Sequence, residues 1–281
     1  MAPLIVAVQG ELGSNSELAA LEYFDGRAIG ILPCYSFADL FAAVDQGRAD
    51  AAMAPVENSL AGSIHDVWNL LLDHHPRVAG EIRLRVVHCL IGLPGATLAD
   101  VRRVRSHPQA LAQCDQYLAA LSDVTVEAAY DTAGAVQIIK SENQPQEAAI
   151  ASAQAAADHG MQILAQDLSA ADNFTRFLVL GEGVPSVGSL KSTVILQMEH
   201  TAAALPAVLG RLAAKGIEVL KVETCKSIGR PWAYNVYLEF VGGTGGPAGQ
   251  ALAEIGDFVT HIQIVGTYAT GVAAEPRLHR R

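Results

Sequence analysis

Three consecutive residues, Thr175, Arg176 and Phe177, have side chains that could bind or act on a substrate. They lie where an apolar run over residues 174–180 begins. The run predicts a buried strand, and arginine is rarely buried without a partner. In a strand, Thr175 and Phe177 point to one face and Arg176 to the other. A hydroxyl beside an aromatic ring suits an unsaturated ring that carries a leaving hydroxyl. The arginine could bind a carboxylate with two parallel hydrogen bonds or form a structural ion pair.

Polar turns at four other places each follow a predicted strand and open a predicted helix. Helix N-termini offer N–H groups without an intrahelical partner and the positive end of the helix dipole, so they bind anions without lysine or arginine. Each turn also has a plainer interpretation, as a tight glycine turn or as a helix cap. The four turns are GELGSNS (10–16), ENSLAGS (57–63), SHPQALAQC (106–114) and DTAGA (131–135).

The third turn offers the largest polar set. Gln109 and Gln113 lie one helical turn apart, on the same stripe as Ser106. Two glutamines on one helix face are also typical of a solvated surface. His107 is either a turn residue or a general base, and Thr132 is a helix cap unless the other turns meet it. These side chains therefore predict a site only if the fold brings the turns together.

Composition and charge narrow the class of protein. The 281-residue chain is 51% hydrophobic and carries a formal net charge of −10, which counts against nucleic acid as a partner. No run approaches the ~18 apolar residues of a membrane span, and the N-terminus lacks a basic start, so we expect no membrane partner and a cytoplasmic location. The four cysteines have neither disulfide-framework nor metal-ligand spacing, so we expect no metal site.

Alternating strands and helices over residues 1–181 predict an α/β domain. The Gly-, Pro- and Ser-rich segment 182–190 predicts a linker. Residues 191–270 read as strand, helix, strand, strand, helix and strand, a ferredoxin-like βαββαβ order, and residues 271–281 form a tail. In the first domain a helix is predicted at 64–72, and strands are predicted at 4–8, 28–32, 51–54, 86–92, 103–105, 125–130, 148–151 and 174–180.

Five segments, in chain order, resemble those of the prephenate dehydratase family. They are the first turn, PVENSLAG (55–62), SHPQALAQC (106–114), TAGA (132–135) and NFTRF (173–177). The resemblance covers residues 4–181 and continues into an ACT regulatory domain at about 191–270. It implies a catalytic domain of two α/β lobes, like a type II periplasmic binding protein, with the site in the cleft. Residues 1–78 with 165–181 would form one lobe and residues 79–164 the other.

The resemblance implies conversion of prephenate to phenylpyruvate, with loss of water and carbon dioxide. No cofactor, metal or covalent nucleophile is required because aromatisation drives the reaction. Thr175 would donate a hydrogen bond to the departing hydroxyl as part of a network, because a lone threonine is a poor acid. Arg176 would bind a carboxylate or brace the strand, and Phe177 would pack near the ring. The other implied catalytic or substrate-binding residues are Asn58, Gln113, Ser106, Ser59, Thr132, Ala133 and Ser14.

The resemblance also implies inhibition by L-phenylalanine through Ala204, Leu205 and Glu223 of the ACT domain. Two departures from the family pattern stand out: Asn15 replaces a frequent aromatic residue in the first turn, and ETCK (223–226) replaces E-S-R-P. The family forms homo-oligomers, so we expect a homodimer or a homotetramer. The alternatives are an arogenate dehydratase, which acts on the amino analogue, a small-molecule binding protein of the same fold, and an amino-acid sensor with a decayed catalytic domain.

Overall fold

The computed structural model describes residues 2–183, 188–199, 201–226 and 233–279. Residues 184–187 of the predicted linker and 280–281 of the predicted tail lie outside this range. The described residues of Met1–Val67, Ile82–Leu178 and Val272–Arg281 form a first compact unit, and those of Trp68–Glu81 and Val179–Gly271 form a second. Within the described ranges, no helix has the length and apolar character to cross a membrane.

Strands and helices alternate along the chain as the sequence predicts. In chain order the strands are β1 Leu4–Gln9, β2 Ile29–Cys34, β3 Ala51–Asn58, β4 Gly62–Ser63, β5 Val78–Arg85, β6 Cys89–Gly92, β7 Arg103–Ser106, β8 Thr125–Ala128, β9 Glu147–Ala151, β10 Gln162–Ala165, β11 Phe174–Gly181, β12 Leu190–Met198, β13 Val219–Lys226, β14 Tyr234–Val241, β15 His261–Ala269 and β16 Ala273–Ala274. The helices are α1 Asn15–Tyr23, α2 Phe37–Asp45, α3 His65–His74, α4 Pro108–Gln113, α5 Asp115–Ala119, α6 Thr132–Glu142, α7 Ala153–His159, α8 Thr201–Ala214 and α9 Gly246–Glu254.

Two sheets form the two lobes that the sequence predicts. The first has the order β16-β5-β11-β3-β1-β2, with β4 paired to β3, and the second has the order β10-β6-β9-β7-β8. In the first sheet β1 runs parallel to both β2 and β3. In the second sheet β7 runs parallel to β8 and β9. Parallel neighbours bring the carboxyl ends of strands, and the turns that follow them, to one edge of each sheet.

The chain crosses between the two sheets twice, and the two crossing segments are hydrogen-bonded to each other. Residues 86–88 lead from β5 to β6, and residues 166–173 lead from β10 back to β11. The Val86 N–H donates to the Asn173 carbonyl at 2.8 Å, and the Leu168 N–H donates to the His88 carbonyl at 3.2 Å. These paired segments connect the two lobes, and we call them the hinge.

The sequence prediction missed β5 and β10 and placed the lobe boundary too early. β5 pairs in the first sheet, so the first lobe extends past the predicted boundary at residue 78, up to the hinge. No Gly or Pro marks a boundary between β5 and β6, since residues 81–91 contain neither, and only long-range pairing separates the two strands. The sequence prediction also did not assign residues 68–81 to the second unit or residues 272–279 to the first.

Glycines allow the first turn to approach the second lobe closely. Gly13 has φ +88°, and a Cβ added there would lie 2.7 Å from the Ala155 Cα. The Ser152 hydroxyl donates to the Gly13 carbonyl at 2.6 Å, which fastens the turn to the start of α7. Gly13 therefore permits both the tight turn and the close contact between the two lobes.

The second unit contains a four-stranded antiparallel sheet, ordered β13-β14-β12-β15, with the βαββαβ order of a ferredoxin-like fold. Its apolar core includes Val194, Leu238 and Leu252, and Ala204 and Leu205 of α8 pack against it. Glu223 lies on β13, and its Oε2 is 3.1 Å from Lys221 Nζ. The structure thus places the three residues predicted for phenylalanine binding on a helix and on an edge strand.

Residues of α3 and β5 complete the second unit. Trp68 stacks on Tyr237 with ring centroids 4.8 Å apart. The buried Lys191 ammonium lies 2.5 Å from a Glu81 carboxylate oxygen and 3.2 Å from one of Glu239. A buried charge is tolerated only when it is paired in this way, so the ion pairs explain how Lys191 occupies the sheet.

Replacing Gly13 with alanine is expected to destabilise the first unit through the contact between its lobes. Both the positive φ and the approach to Ala155 oppose a Cβ. Gly26→Ala is the matched control, because Gly26 has φ +78° with no atom within 4 Å of an added Cβ. We expect Gly26→Ala to cost about 1 kcal/mol of unfolding free energy and Gly13→Ala at least about 1 kcal/mol more. Denaturant titration measures both, and equal losses would contradict the close-contact explanation.

Candidate active site

A cleft of about 310 Å³ opens between the two lobes of the first unit, within the size range of small-molecule sites. The ends of β1 and β3, the start of β11 and the N-termini of α1, α4 and α6 all contribute to it. The residues that line the cleft are Gln9, Ser14, Asn15, Ser16, Phe37, Pro55, Asn58, Ile64, Val86, His88, His107, Gln109, Ala110, Gln113, Tyr130, Asp131, Thr132, Thr175 and Phe177.

The Asn58 carboxamide occupies the centre of a buried hydrogen-bond network. Its Oδ1 accepts from the backbone N–H groups of Leu60 and Ala61, at 3.1 Å and 2.9 Å. Its Nδ2 lies 2.8 Å from Asn173 Oδ1 and 3.1 Å from Thr175 Oγ1. Backbone N–H groups can only donate, so they decide which end of the carboxamide faces Thr175.

Thr175 and Phe177 line the cleft from the same face of β11, as the alternation predicts. The Thr175 hydroxyl accepts the hydrogen bond from Asn58. That contact uses an oxygen lone pair and leaves the hydroxyl proton available to a molecule in the cleft. Thr175 is thus prepared to act as a donor.

Gln113 joins the network from the second lobe. Its Nε2 donates to Asn58 Oδ1 at 3.1 Å. Its Oε1 accepts from Asn173 Nδ2 at 3.0 Å and lies 2.8 Å from His88 Nε2. Side chains from both lobes and from both crossing segments are therefore connected at one end of the cleft.

His88 and Asn173 are the members of this network that were not among the predicted site residues. Asn173 is fully buried and His88 is 3% exposed. Burial lowers the pKa of His88 below its ordinary value, and the hydrogen bond with Gln113 opposes this only in part. The imidazole is therefore neutral at neutral pH. A histidine inside the apolar run VVHCLIG (86–92) was the available signal for a buried polar role.

Arg176 points away from the cleft and braces the strand. Its Nε and Nη2 each lie 3.0 Å from Glu57 Oε2. Its side chain is only 9% exposed, so this pairing compensates a buried charge. Of the two interpretations given by the sequence, the structure favours the structural ion pair over a substrate contact.

Three further predicted residues are not among those that line the cleft. Ser106 is fully buried and donates its hydroxyl to the Ile150 carbonyl at 2.6 Å. Ser59 donates to the Asp172 carbonyl and accepts from the Phe174 N–H, which ties the end of β3 to the start of β11. Ala133 packs in the apolar core of the second lobe. Their contacts position other groups, whereas Ser14 and Thr132 reach the cleft itself.

Helix N-termini provide the positive potential of the cleft. The described lining residues include no lysine or arginine. Ser14 caps α1 by accepting from the Glu17 N–H, and Asp131 caps α6 by accepting from the Gly134 N–H. The second oxygen of Asp131 accepts from the Glu11 N–H. These N–H groups are used by the caps, so an anion in the cleft would be held by other N–H groups of the first helical turns and by hydroxyls, without side-chain cations.

Thiol and metal chemistry receive no support from the described residues. Nowhere in the described ranges do three or more His, Cys, Asp or Glu side chains cluster as a metal would need. Burial raises the pKa of Cys89 to about 11 and that of Cys114 to about 12. Both thiols are thus protonated at neutral pH and are poor nucleophiles.

The family of this chain is shown by its match to a known family model. Residues 6–184 match the model of the family described as prephenate dehydratase. The chain belongs to the prephenate dehydratase family. The matched range contains both crossing segments and every member of the Asn58 network.

Individual relatives agree with this membership. Arogenate dehydratase/prephenate dehydratase 2, chloroplastic, of Arabidopsis thaliana is 37% identical over 277 residues, which are 94% of this chain and 72% of the relative. A protein of Komagataeibacter europaeus named bifunctional N-acyl-homoserine lactone acylase/prephenate dehydratase is 36% identical over 271 residues, 94% and 95% of the two chains. The prephenate dehydratase of Arthrobacter aurescens, solved in complex with L-Phe, has a TM-score of 0.83 at 26% identity and covers 96% of this chain and 93% of its own. The predicted family and fold class are confirmed.

Stability below neutral pH is expected to depend on His88. Its pKa is lower in the folded chain than the ordinary value of 6.5, so the unfolded chain binds more protons once the pH falls below about 6.5. The free energy of unfolding should therefore decrease as the pH falls through that range. The measurement is the slope of unfolding free energy against pH between about 5 and 7, for the wild type and for His88→Gln. A shallower slope in the variant is expected, and identical slopes would show that His88 is not buried in its neutral form.

Proposed function

We propose that this chain is a prephenate dehydratase that converts prephenate to phenylpyruvate in phenylalanine biosynthesis. The bond between the ring and its carboxylate breaks and releases carbon dioxide. The electron pair moves into the ring and the carbon–oxygen bond of the ring hydroxyl breaks. The departing hydroxide takes up a proton and leaves as water, so the products are phenylpyruvate, carbon dioxide and water. The observation that carries the proposal is the Thr175 hydroxyl, held as a donor at the cleft by Asn58.

Thr175 would assist departure of the ring hydroxyl. A hydrogen bond from an oriented donor stabilises the charge that develops on a leaving oxygen, and it is most effective where the donor needs no reorganisation. The described network supplies that order, because Asn58, Gln113 and Asn173 are held by buried hydrogen bonds. The proton that the hydroxide takes up would come through this donor or through water in the cleft.

The two carboxylates of prephenate need different surroundings. The side-chain carboxylate remains in the product, and the N-termini of α1 and α6 offer it N–H groups. The ring carboxylate must lose its charge as carbon dioxide, which an apolar wall favours because it solvates that charge poorly. Pro55, Ile64, Val86 and Phe177 supply apolar surface in the same cleft.

Regulation and assembly form the finer part of the proposal. We propose that the second unit is an ACT domain that inhibits the enzyme when L-phenylalanine binds, with Ala204, Leu205 and Glu223 as contacts. Its support is the βαββαβ order and the L-Phe complex of the Arthrobacter aurescens relative. Strands β13 and β15 end the four-stranded sheet, and unpaired edges of this kind favour association into a homodimer or a homotetramer. The four free cysteines are typical of the reducing cytoplasm.

The names of two relatives mention other substrates. Arogenate, the amino analogue, is a substrate in the name of the Arabidopsis relative, and its ring chemistry would use Thr175 in the same way. The name of the Komagataeibacter relative mentions N-acyl-homoserine lactones as substrates of an acylase. Acyl transfer needs a nucleophile activated by a base, but the partner of the Thr175 hydroxyl is the amide of Asn58. At Thr175 the geometry therefore favours ring dehydration over acyl transfer.

A panel of three substrates tests the proposal. The purified protein is incubated separately with prephenate, arogenate and an N-acyl-homoserine lactone, with and without L-phenylalanine, while phenylpyruvate, phenylalanine and released fatty acid are followed. We expect phenylpyruvate from prephenate, with turnover reduced by L-phenylalanine. Turnover without this reduction would contradict the regulatory part alone. Turnover of arogenate only would move the assignment to arogenate dehydratase, and absence of dehydration with either ring substrate would overturn the proposal.

A further inference from the structure

We propose that His88 is a positioning residue whose Nε2–H holds the Gln113 carboxamide in its place against Asn58, the residue that donates to the Thr175 hydroxyl. The proposal rests on the proposed function, because it assigns His88 a role in the same reaction. It can also be tested without turnover, through the protonation state of the ring. Each step follows from which atoms can donate and which can only accept.

The first step starts from the backbone. The N–H groups of Leu60 and Ala61 have no acceptor capacity, and both point at Asn58 Oδ1, at 3.1 Å and 2.9 Å. The opposite end of the carboxamide must therefore be the NH₂ group. This gives Asn58 Nδ2 the donor role toward Thr175 Oγ1. The same NH₂ group lies 2.8 Å from Asn173 Oδ1 and 3.2 Å from the Phe174 carbonyl.

The second step transfers this orientation to Gln113. One end of the Gln113 carboxamide lies 3.1 Å from Asn58 Oδ1, an oxygen that can only accept, so that end must be the NH₂ group. The other end, Oε1, is left to accept from Asn173 Nδ2 at 3.0 Å. Asn173 is oriented independently, because its own Oδ1 accepts from Asn58.

The third step fixes the tautomer of His88. Its Nε2 lies 2.8 Å from Gln113 Oε1, and this oxygen can only accept, so Nε2 must carry a proton. Burial keeps the ring neutral, with the pKa of His88 below its ordinary value. The ring is therefore the neutral Nε2–H tautomer, and its one N–H is committed to Gln113. His88 consequently has no proton to give to a substrate, and we assign it a positioning and not a catalytic role.

The position of His88 in the hinge gives this contact a wider consequence. His88 lies on the first crossing segment, and its carbonyl accepts from Leu168 of the second one. Gln113 ends α4 of the second lobe, and Asn58 ends β3 of the first. The His88–Gln113–Asn58 series thus connects the hinge and both lobes to the Thr175 hydroxyl. Removal of the His88 donor leaves the Gln113 carboxamide held by Asn58 and Asn173 alone, so we expect its contact with Asn58 Oδ1 to loosen.

Three substitutions at residue 88 separate the donor from the ring shape. In His88→Gln, the amide nitrogen can reach the place of Nε2 and donate to Gln113. His88→Asn also carries an amide donor, but its shorter side chain ends near the place of Nδ1. His88→Leu has similar bulk and no donor. We expect His88→Gln to keep kcat within about threefold of wild type, and both His88→Asn and His88→Leu to lower kcat by about tenfold or more with KM changed by less than about threefold.

A neighbouring substitution controls for general loss of packing. Cys89→Ala removes a buried side chain on the next residue, which packs in the apolar core of the second lobe. We expect it to lower the melting temperature while kcat stays at the wild-type value. Equal kcat for wild type and His88→Leu would overturn the proposal. So would equal losses in His88→Gln and His88→Leu, because they would assign the effect to ring shape and not to the donor.

Nitrogen NMR of the ¹⁵N-histidine-labelled wild type tests the tautomer directly. We expect the His88 ring to show a protonated Nε2 and an unprotonated Nδ1 between about pH 7 and 8, and to lose this bias in Gln113→Leu. A protonated Nδ1 in the wild type would overturn the proposal even if every residue 88 variant failed to fold. The result also separates two failures, because an inactive wild type with the expected tautomer would reject the proposed function and keep the assigned hydrogen bonds.

Discussion

The contact of two backbone N–H groups with one side-chain oxygen sets the chemistry of this cleft. Leu60 and Ala61 fix Asn58 Oδ1, and the carboxamide must then present its NH₂ group to Thr175. This orientation needs little additional ordering of the chain, because the β3–β4 turn that supplies the N–H groups also carries Asn58. A hydroxyl that accepts from Asn58 keeps its own proton for the substrate. The protein thereby obtains a directed donor from a residue that is a weak acid by itself.

Neutral groups are well suited to a substrate that carries two negative charges and must lose one of them. A lysine or arginine beside the ring carboxylate would stabilise the charge that has to disappear. In the proposed reaction the cleft would instead use helix N-termini for the carboxylate that remains and apolar side chains elsewhere. Its nearby buried arginine, Arg176, is compensated by Glu57. Catalysis would then depend on orientation and selective solvation, both of which the paired crossing segments help to maintain.

The sequence could predict those elements and residues whose signal is local. Alternation placed Thr175 and Phe177 on one face. Helix-opening turns placed Asn58 at the end of a strand and Gln113 on the helix that follows another strand. The short motifs could not say which of their polar residues face inward, because that depends on strand pairing. Ser106 and Ser59 therefore looked like substrate contacts, although their hydroxyls bond to carbonyls of the framework. β5 was hidden because no Gly or Pro marks a boundary between it and β6. Buried contacts between distant segments, such as those of His88 and Asn173, leave no periodic trace in the sequence.

A double-mutant cycle on turnover of prephenate tests the central claim most directly. Thr175→Val removes the hydroxyl with little change in shape. Asn58→Asp keeps an oxygen for Leu60 and Ala61 but replaces the donor with a second acceptor, which would draw the Thr175 proton away from the cleft. The account predicts that each single variant lowers kcat by about tenfold or more, and that the double variant is about as slow as the slower single one. Losses that multiply in the double variant would show that Asn58 and Thr175 act independently and would contradict the account.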